Sequence, residues 1–595
     1  MSQSQRYDPV PAVAGSSHND QYHIPPPSHH RPNPQKATMF TSELYLHAIG
    51  SFTCILLMLR CMFAFSSSTR PEFVQYSFLL SPSPFSASLF VDNSDSQYSS
   101  FRSNLKILIP LLIFHVSVSN AIQYAFSRSS KPFTLWKKYS PRLLFNLAFS
   151  VIFFVIYNGL SGFLKLLIVF GFNYFGCMQL MKNSRTKLLV PILSWGFGLA
   201  VLVYTNYYRG FQFAWIHPSL GLLDASKGIN ASWFDPLRFG FLRMISFNMD
   251  YYWSQTQTPD SNRRLKEHNE SCKDCKPPPH QIQCQKSRVE TPLYGLNDYT
   301  FTAYLTYLLY IPLYLAGPII SFNDFSSQLK TRVQATYPFK KLIPYLVRWV
   351  STTILMELFI HTSYVIAIAK SGVWKTSFTP FEVSTLGYFN LKHIWLKLLV
   401  IWRFFRLWGL LEGIETVENM NRCMTNNYST SGFWRSWHRS FNRWIIRYIY
   451  VPMGGGKNYL LNLGVTFTFV ALWHDLNLNL LVWGWLICLS IIPETLAMKL
   501  YPHKKMESWP YYKHMCGLGA TANIFLMIAV NIIGFGAAGG HKPSADGGIM
   551  QMLPLVFNIN NLTLFIGIFI FFFCSSQLMF AYREWEAKKG ISTRD

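Results

Sequence analysis

Residues 460–489 read LLNLGVTFTFVALWHDLNLNLLVWGWLICL. Such a run exceeds the roughly 20 residues that cross a bilayer as one helix. His474 and Asp475 sit at its middle, and its one other titratable side chain is the thiol of Cys488. An ionisable side chain at membrane depth is costly, so it normally faces a bundle interior or a watered cavity and marks a functional site. The structural alternative is a break between two spans that places His474 and Asp475 at an interface. Trp473 and Trp483 flank the pair and favour a site.

Comparable apolar runs recur along the chain. Upstream of the polar stretch 254–298 they fall at Leu44–Phe65, Leu105–Phe126, Leu143–Tyr157, Leu160–Met178 and Leu188–Tyr204; downstream of it at Phe301–Ile320, Leu342–Ala369, Leu391–Leu411, Leu460–His474, Leu480–Leu500, Leu518–Gly536 and Leu553–Tyr582. Arg238–Trp253 carries charges of both signs among aromatics and reads as an interfacial or partly buried helix. Half of the 595 residues are apolar, 17% are aromatic and 14% are charged, against roughly 25% charged in soluble proteins. Ten to twelve spans would use about 200–240 residues, which fits this composition. The expectation is an all-α polytopic membrane protein; a soluble enzyme, a disordered scaffold and a disulfide-stapled secreted module are excluded. Several downstream runs are short or broken by Gly and Pro, and irregular backbone at membrane depth survives only inside protein or beside a cavity. The chemistry is therefore expected in the C-terminal half. No internal repeat of the kind that marks many transporters is visible.

Four regions follow: a tail over 1–38 rich in Pro, Ser, Gln and His, a membrane block over 39–253, a polar loop over 254–298, and a membrane block over 299–595. The tail reads as disordered. The net charge of +25 comes from cations that punctuate apolar runs, which suits loops facing anionic headgroups and forms no basic module for nucleic acid. Cys272, Cys275 and Cys284 lie in the polar loop near His268 and His280. A C-x2-C pair with a third Cys is a pattern that holds zinc or a disulfide, but without a second C-x2-C or a spaced His pair the three read as thiols, solvated or oxidised in a lumen, with zinc the alternative and no metal site assigned.

The second constellation is Phe433–Pro452, FWRSWHRSFNRWIIRYIYVP. As one helix it would set Arg435, Arg439, Arg443 and Arg447 in a drifting stripe about 18 Å long. Trp434, Trp437, Phe441 and Trp444 interleave, and His438 and Asn442 stand one turn apart. Guanidinium groups match phosphates through forked, charge-assisted hydrogen bonds, so coenzyme A or a phospholipid head would fit. The bland reading is a basic amphipathic helix resting on headgroups. Gly454-Gly455-Gly456-Lys457 lacks the leading Gly and the Ser/Thr of a nucleotide loop and reads as a turn. Two histidines suit proton transfer near neutral pH. With no Gly-x-Ser-x-Gly elbow and no evident cysteine nucleophile, direct transfer is the natural reaction: a base deprotonates an acceptor hydroxyl, which attacks an activated acyl group.

Phe433–Gly455 followed by FVALWHD (469–475) resembles the signature of the membrane-bound O-acyltransferase family. Leu242–Trp253, Tyr310–Phe325 and VDNSDSQYSSFRSNL (91–105) narrow the resemblance to the fungal glycerol uptake protein branch. It runs from about Arg70 to the C-terminus. The family implies a helical bundle with re-entrant segments and an internal tunnel that brings acyl-CoA to a histidine; acyl-CoA is then a co-substrate and no bound cofactor is expected. His474 matches the catalytic histidine, and His438 matches a partner position that other branches fill with Asn, Asp or His. The resemblance further implies sn-2 re-acylation of lyso-GPI with a very long saturated chain. The expected location is the endoplasmic reticulum membrane, with the plasma membrane as a second one. In this reading His474 is the general base, and His438 positions the thioester or donates to the developing oxyanion. Arg435, Arg439 and Arg443 contact CoA phosphates; Asn442, Trp434, Trp437 and Asp475 complete the substrate surroundings. Two other activities stay open: a glycerol–proton symporter or regulator of glycerol uptake, and a protein acyltransferase. Glu357 and His361, one turn apart, are either a contact between spans or a tunnel-lining pair.

Overall fold

The structure, a computed structural model, describes residues 42–86, 89–127, 140–230, 232–235, 237–256, 298–330, 339–474, 476, 478–506, 508–538, 561–589 and 591. The tail over 1–38, Cys272, Cys275, Cys284 and Asp475 lie outside the described residues.

The main helices are α1 (Ser42–Phe65), α2 (Ser96–Ser127), α3 (Pro141–Met181), α4 (Val190–Tyr208), α5 (Leu237–Thr256), α6 (Phe301–Leu309), α7 (Ile311–Leu315), α8 (Phe322–Lys330) and α9 (Phe339–Thr362). They continue with α10 (Val365–Ser371), α11 (Pro380–Leu411), α12 (Thr430–Ser436), α13 (Arg439–Ile445), α14 (Tyr459–His474), α15 (Leu478–Leu500), α16 (Tyr512–Ala538) and α17 (Leu562–Lys588). The one sheet among the described residues is a pair of two-residue strands, Ser81–Pro82 against Phe90–Val91. Eight described helices are long and apolar enough to cross a membrane. The protein is an all-α polytopic membrane protein.

The chain forms two units, each from non-contiguous segments: residues 1–103, 350–401 and 419–595 make one, and 104–349 with 402–418 the other. In the second unit, α3 starts on Pro141 behind the Ser140 cap, whose side chain accepts from the Leu143 amide at 3.2 Å. The two apolar runs 143–157 and 160–178 are halves of this helix, kinked at Gly159 with φ 73°. Returning chain satisfies the groups freed at the kink: Asn230 N–H donates to the Tyr157 carbonyl at 2.7 Å and Ser161 N–H to that of Ser226 at 3.4 Å.

Helix α5 is buried at Leu237 and at every residue from Gly240 to Tyr251, polar residues included, which corrects the reading of Arg238–Trp253 as interfacial or only partly buried. Its polar groups explain why. Asn248 pairs with Asn173 and Ser194 at 3.0 and 2.9 Å, and Asp250 accepts from the Asn323 amide at 3.1 Å. The run Phe301–Ile320 does not form a single span. It breaks before Pro312 into α6 and α7, and Arg243 donates to the freed carbonyls of Tyr307 and Leu308 at 2.9 and 2.7 Å.

In the first unit, α14 packs on α15, α15 on α16, α16 on α17 and α17 on α1. Thirty apolar-looking residues, 460–489, are thus a hairpin whose first arm ends at His474 and whose second starts at Leu478. At about 24 Å for 16 residues, α14 is shorter than the roughly 30 Å hydrocarbon core. The segment Val91–Leu105 is a clamp. Asp92 accepts from the first amides of α10, Ile366 and Ala367, at 2.9 and 3.0 Å. Asp95 accepts from the Tyr98 amide at 2.9 Å and pairs with Lys397. Burial alone would raise the Asp95 carboxyl, but His393 and Lys397 outweigh it and hold it well below the usual carboxylate range. Glu357 accepts from Tyr98 and Arg102, the latter at 2.8 Å, so it is a contact between α2 and α9; the His361 ring bonds the Glu357 carbonyl at 2.7 Å.

Candidate active site

Phe433–Pro452 is not one helix. It breaks after Ser436: Trp437 is extended (φ −86°, ψ 128°) and His438 is left-handed (φ 47°, ψ 49°) before α13 resumes at Arg439. No Gly or Pro forces this. Residues 419–421 hold the break open: Met420 bridges Trp437, Arg439 N–H donates to the Asn419 carbonyl at 3.1 Å, and Ser440 N–H donates to Asn419 Oδ1 at 3.1 Å. The guanidinium row expected from four-residue spacing is therefore absent. Arg435, on α12, donates to the Ser431 carbonyl at 3.3 Å; Arg439 is buried with Nη1 3.4 Å from Asn421 Oδ1; Arg443 is exposed; Arg447 lies against Tyr448.

The two histidines do come together. The His438 ring lies 5.2 Å from Phe441 and 6.4 Å from Trp473, while His474 lies 4.8 Å from Trp473 and 6.4 Å from Phe441. Phe441 and Trp473, 4.4 Å apart, form the wall both imidazoles share. Burial, and then the neighbouring His474, push the His438 imidazole down to about 3. His438 is thus neutral at physiological pH, with one nitrogen to donate and one to accept. His474 is exposed at the C-terminal end of α14. Asn442 is half-buried and its amide donates to the His438 carbonyl at 3.1 Å. Trp434 packs edge-on against Phe467 and Trp483, at 6.3 and 5.6 Å, and Trp437 stacks on Phe433 at 5.5 Å.

Trp434 and Trp437 also line a cavity of about 100 Å³ whose other walls include Tyr388, Leu391, Ile524 and Met527. Its lining is mostly apolar, so it suits a hydrocarbon chain better than a headgroup. Among the described residues no cluster of His, Cys, Asp and Glu has the makings of a metal site.

Two contributors escape the sequence reading. Asn419 fixes the turn at His438, and Glu494 of α15 gathers the first residues of α12. Its carboxylate accepts from Ser429 Oγ (2.6 Å), the Thr430 amide (2.7 Å) and Ser431 Oγ (2.8 Å). Glu494 carried one legible sign, a carboxylate inside the apolar run Leu480–Leu500. Asn419 carried none.

The model of the membrane-bound O-acyltransferase family matches residues 224–537, which contain both histidines and the cavity's tryptophans. Membrane-bound O-acyltransferase gup1 of Schizosaccharomyces pombe is 38% identical over 85% of this chain and 82% of its own length. The chain belongs to the membrane-bound O-acyltransferase family. Within that family it sides with the glycerol uptake branch: membrane-bound O-acyltransferase GUP1 of Saccharomyces cerevisiae is 35% identical over 93% of this chain and 92% of its own. Mouse protein-cysteine N-palmitoyltransferase HHAT is 27% identical over 38% of this chain and 45% of that protein. This membrane-bound O-acyltransferase is accordingly an enzyme that moves an acyl group from a donor to an acceptor.

Proposed function

We propose that the chain transfers a long fatty acyl group from acyl-CoA to a lipid hydroxyl, re-acylating the sn-2 position of lyso-GPI in the endoplasmic reticulum membrane. The observation that carries this reading is the pair His438 and His474 across one aromatic wall, beside a cavity fit for hydrocarbon. His474, exposed, takes the proton of the acceptor hydroxyl. The alkoxide oxygen attacks the thioester carbon, the C–O bond forms, the C–S bond breaks, and the proton passes from His474 to the departing CoA sulfur. His438, held neutral, donates to the carbonyl oxygen as charge develops there, the kind of preorganised donor that lowers such barriers. Of Arg435, Arg439 and Arg443, Arg443 is the one on the exposed surface, and it is the one assigned here to a CoA phosphate, on the match of guanidinium to phosphate; Arg435 and Arg439 serve the local fold.

Lipid mass spectrometry of GPI anchors tests the reading in cells lacking this protein, complemented with wild type or His474→Ala at equal abundance. Wild type restores diacyl anchors, and His474→Ala leaves lyso-GPI, with a loss on the order of 10²–10⁴ in transfer rate. Equal restoration by both would make His474 structural. Anchors unchanged by either would shift the acceptor toward protein, in line with the name of the mouse relative.

A further inference from the structure

We infer that Glu494 is a positioning residue for acyl transfer, acting through His438; the inference rests on the site proposed above. Glu494 lies inside a candidate membrane span, where carboxylates are rare and usually functional. It is buried, and both oxygens are engaged: Oε1 by Ser429 and Ser431 hydroxyls, Oε2 by the amides of Thr430 and Ser431 and, at 3.4 Å, by Asn523 of α16. Every donor except Asn523 belongs to the start of α12. A scaffold that needed only apolar packing between α15 and α12 would not bury a charge there, since a buried carboxylate is no better for stability than a well-packed hydrophobe.

What the carboxylate does fix is the starting point of a short strut. Helix α12 has seven residues, and its far end delivers Trp437 to the extended conformation and His438 to the left-handed one. Arg435 ties the strut internally through the Ser431 carbonyl. His438 is therefore suspended between two anchors: Asn419 on one side and, through α12, Glu494 on the other. A left-handed histidine persists only when its surroundings over-determine it. Loss of the Glu494 anchor lets α12 shift, and displacements of about 1 Å at a reacting group can cost a hundredfold in rate.

The test uses the full chain in detergent micelles, with palmitoyl-CoA as donor and lysophosphatidylinositol as acceptor probe. Three readouts are taken on each preparation: kcat with KM, the thermal midpoint, and the rate at which diethyl pyrocarbonate modifies His438 relative to buried His115. Glu494→Gln is expected to lower kcat on the order of tenfold or more with KM for the donor unchanged. It should speed His438 modification several-fold and leave His115 protected. Ser429→Ala with Ser431→Ala, which keeps the carboxylate, should move the same readouts in the same direction. In a His438→Ala background, Glu494→Gln should cost nothing further. A normal kcat per folded molecule with unchanged His438 reactivity overturns the inference, as do losses that multiply in the double variant. A His438→Ala enzyme of wild-type rate instead refutes the site itself, and the inference with it.

Discussion

His438 occupies a backbone region that Asn, Asp and His visit several times more often than other non-glycine residues. Those are the three residue types that the family resemblance allows at this position, so local conformation narrows the choice before chemistry does. A β-carbon in this region costs roughly 1 kcal/mol. His438→Gly should therefore unfold at a higher temperature than His438→Ala, by about 1 kcal/mol of stability, although both transfer acyl groups far more slowly than wild type; thermal unfolding in detergent reads the difference. The lowered imidazole gives a pH prediction as well. Its value of about 3 lies below the ordinary 6.5, so the unfolded chain binds a proton that the folded one refuses. That contribution to stability is complete above about pH 6.5 and is lost as pH falls toward 3, at up to about 1.4 kcal/mol per pH unit. His438→Asn should flatten the acid limb of the stability profile. It should leave any inflection of the rate profile near neutrality where it was, because His438 does not titrate there.

At the scale of elements, the kink in α3 gives the sharpest expectation. A β-carbon on Gly159 would sit 2.3 Å from the Ser226 carbonyl oxygen, and the residue has φ 73°. Gly159→Ala should cost about 1–3 kcal/mol through strain of this kind, whereas Gly176→Ala, with open space around it, should be neutral or better. Yield of monodisperse protein and its melting temperature distinguish them. The contrast also shows what the sequence could and could not say. The apolar runs on either side of Gly159 were plain, because composition alone marks membrane helices. The break before Pro312 was legible as an interruption, since proline removes a donor and clashes with the preceding turn. The break at Trp437–His438 was not, because the four-residue arginine spacing is as regular as any helix, and the force that opens it comes from Asn419 and Met420. His474 stood out as an ionisable side chain in an apolar run, but no periodicity in residues 460–489 distinguishes one long helix from the hairpin of α14 and α15. Packing decides that.

Chain order and spatial order part company at the scale of the molecule. The second unit, residues 104–349, also takes in 402–418, and the reason is electrostatic as well as apolar. Glu412 is buried with its carboxylate accepting from Arg142 Nε at 3.1 Å, Ser119 Oγ at 2.6 Å and Asn146 Nδ2 at 3.3 Å. A second guanidinium nitrogen of Arg142 donates to the Glu412 backbone carbonyl. Gln328 adds a two-way bond with the backbone of Glu415, 2.7 and 3.0 Å. Residues 402–418 therefore bring the counter-charge that makes a buried arginine on α3 tolerable. Removing one member of such a pair strands the other charge and costs about 3–5 kcal/mol, while replacing both is far milder. Glu412→Ala should consequently abolish or severely reduce recoverable folded protein. Glu412→Gln, which keeps an acceptor for Ser119 and Asn146, should fall between that variant and wild type. Arg142→Met combined with Glu412→Gln should melt above Glu412→Gln alone, because no unpaired charge is left inside. Equal melting of the single and double variants would mean that Arg142 reaches water when Glu412 is lost, and the segment 402–418 would then be held by its apolar contacts and not by this pair.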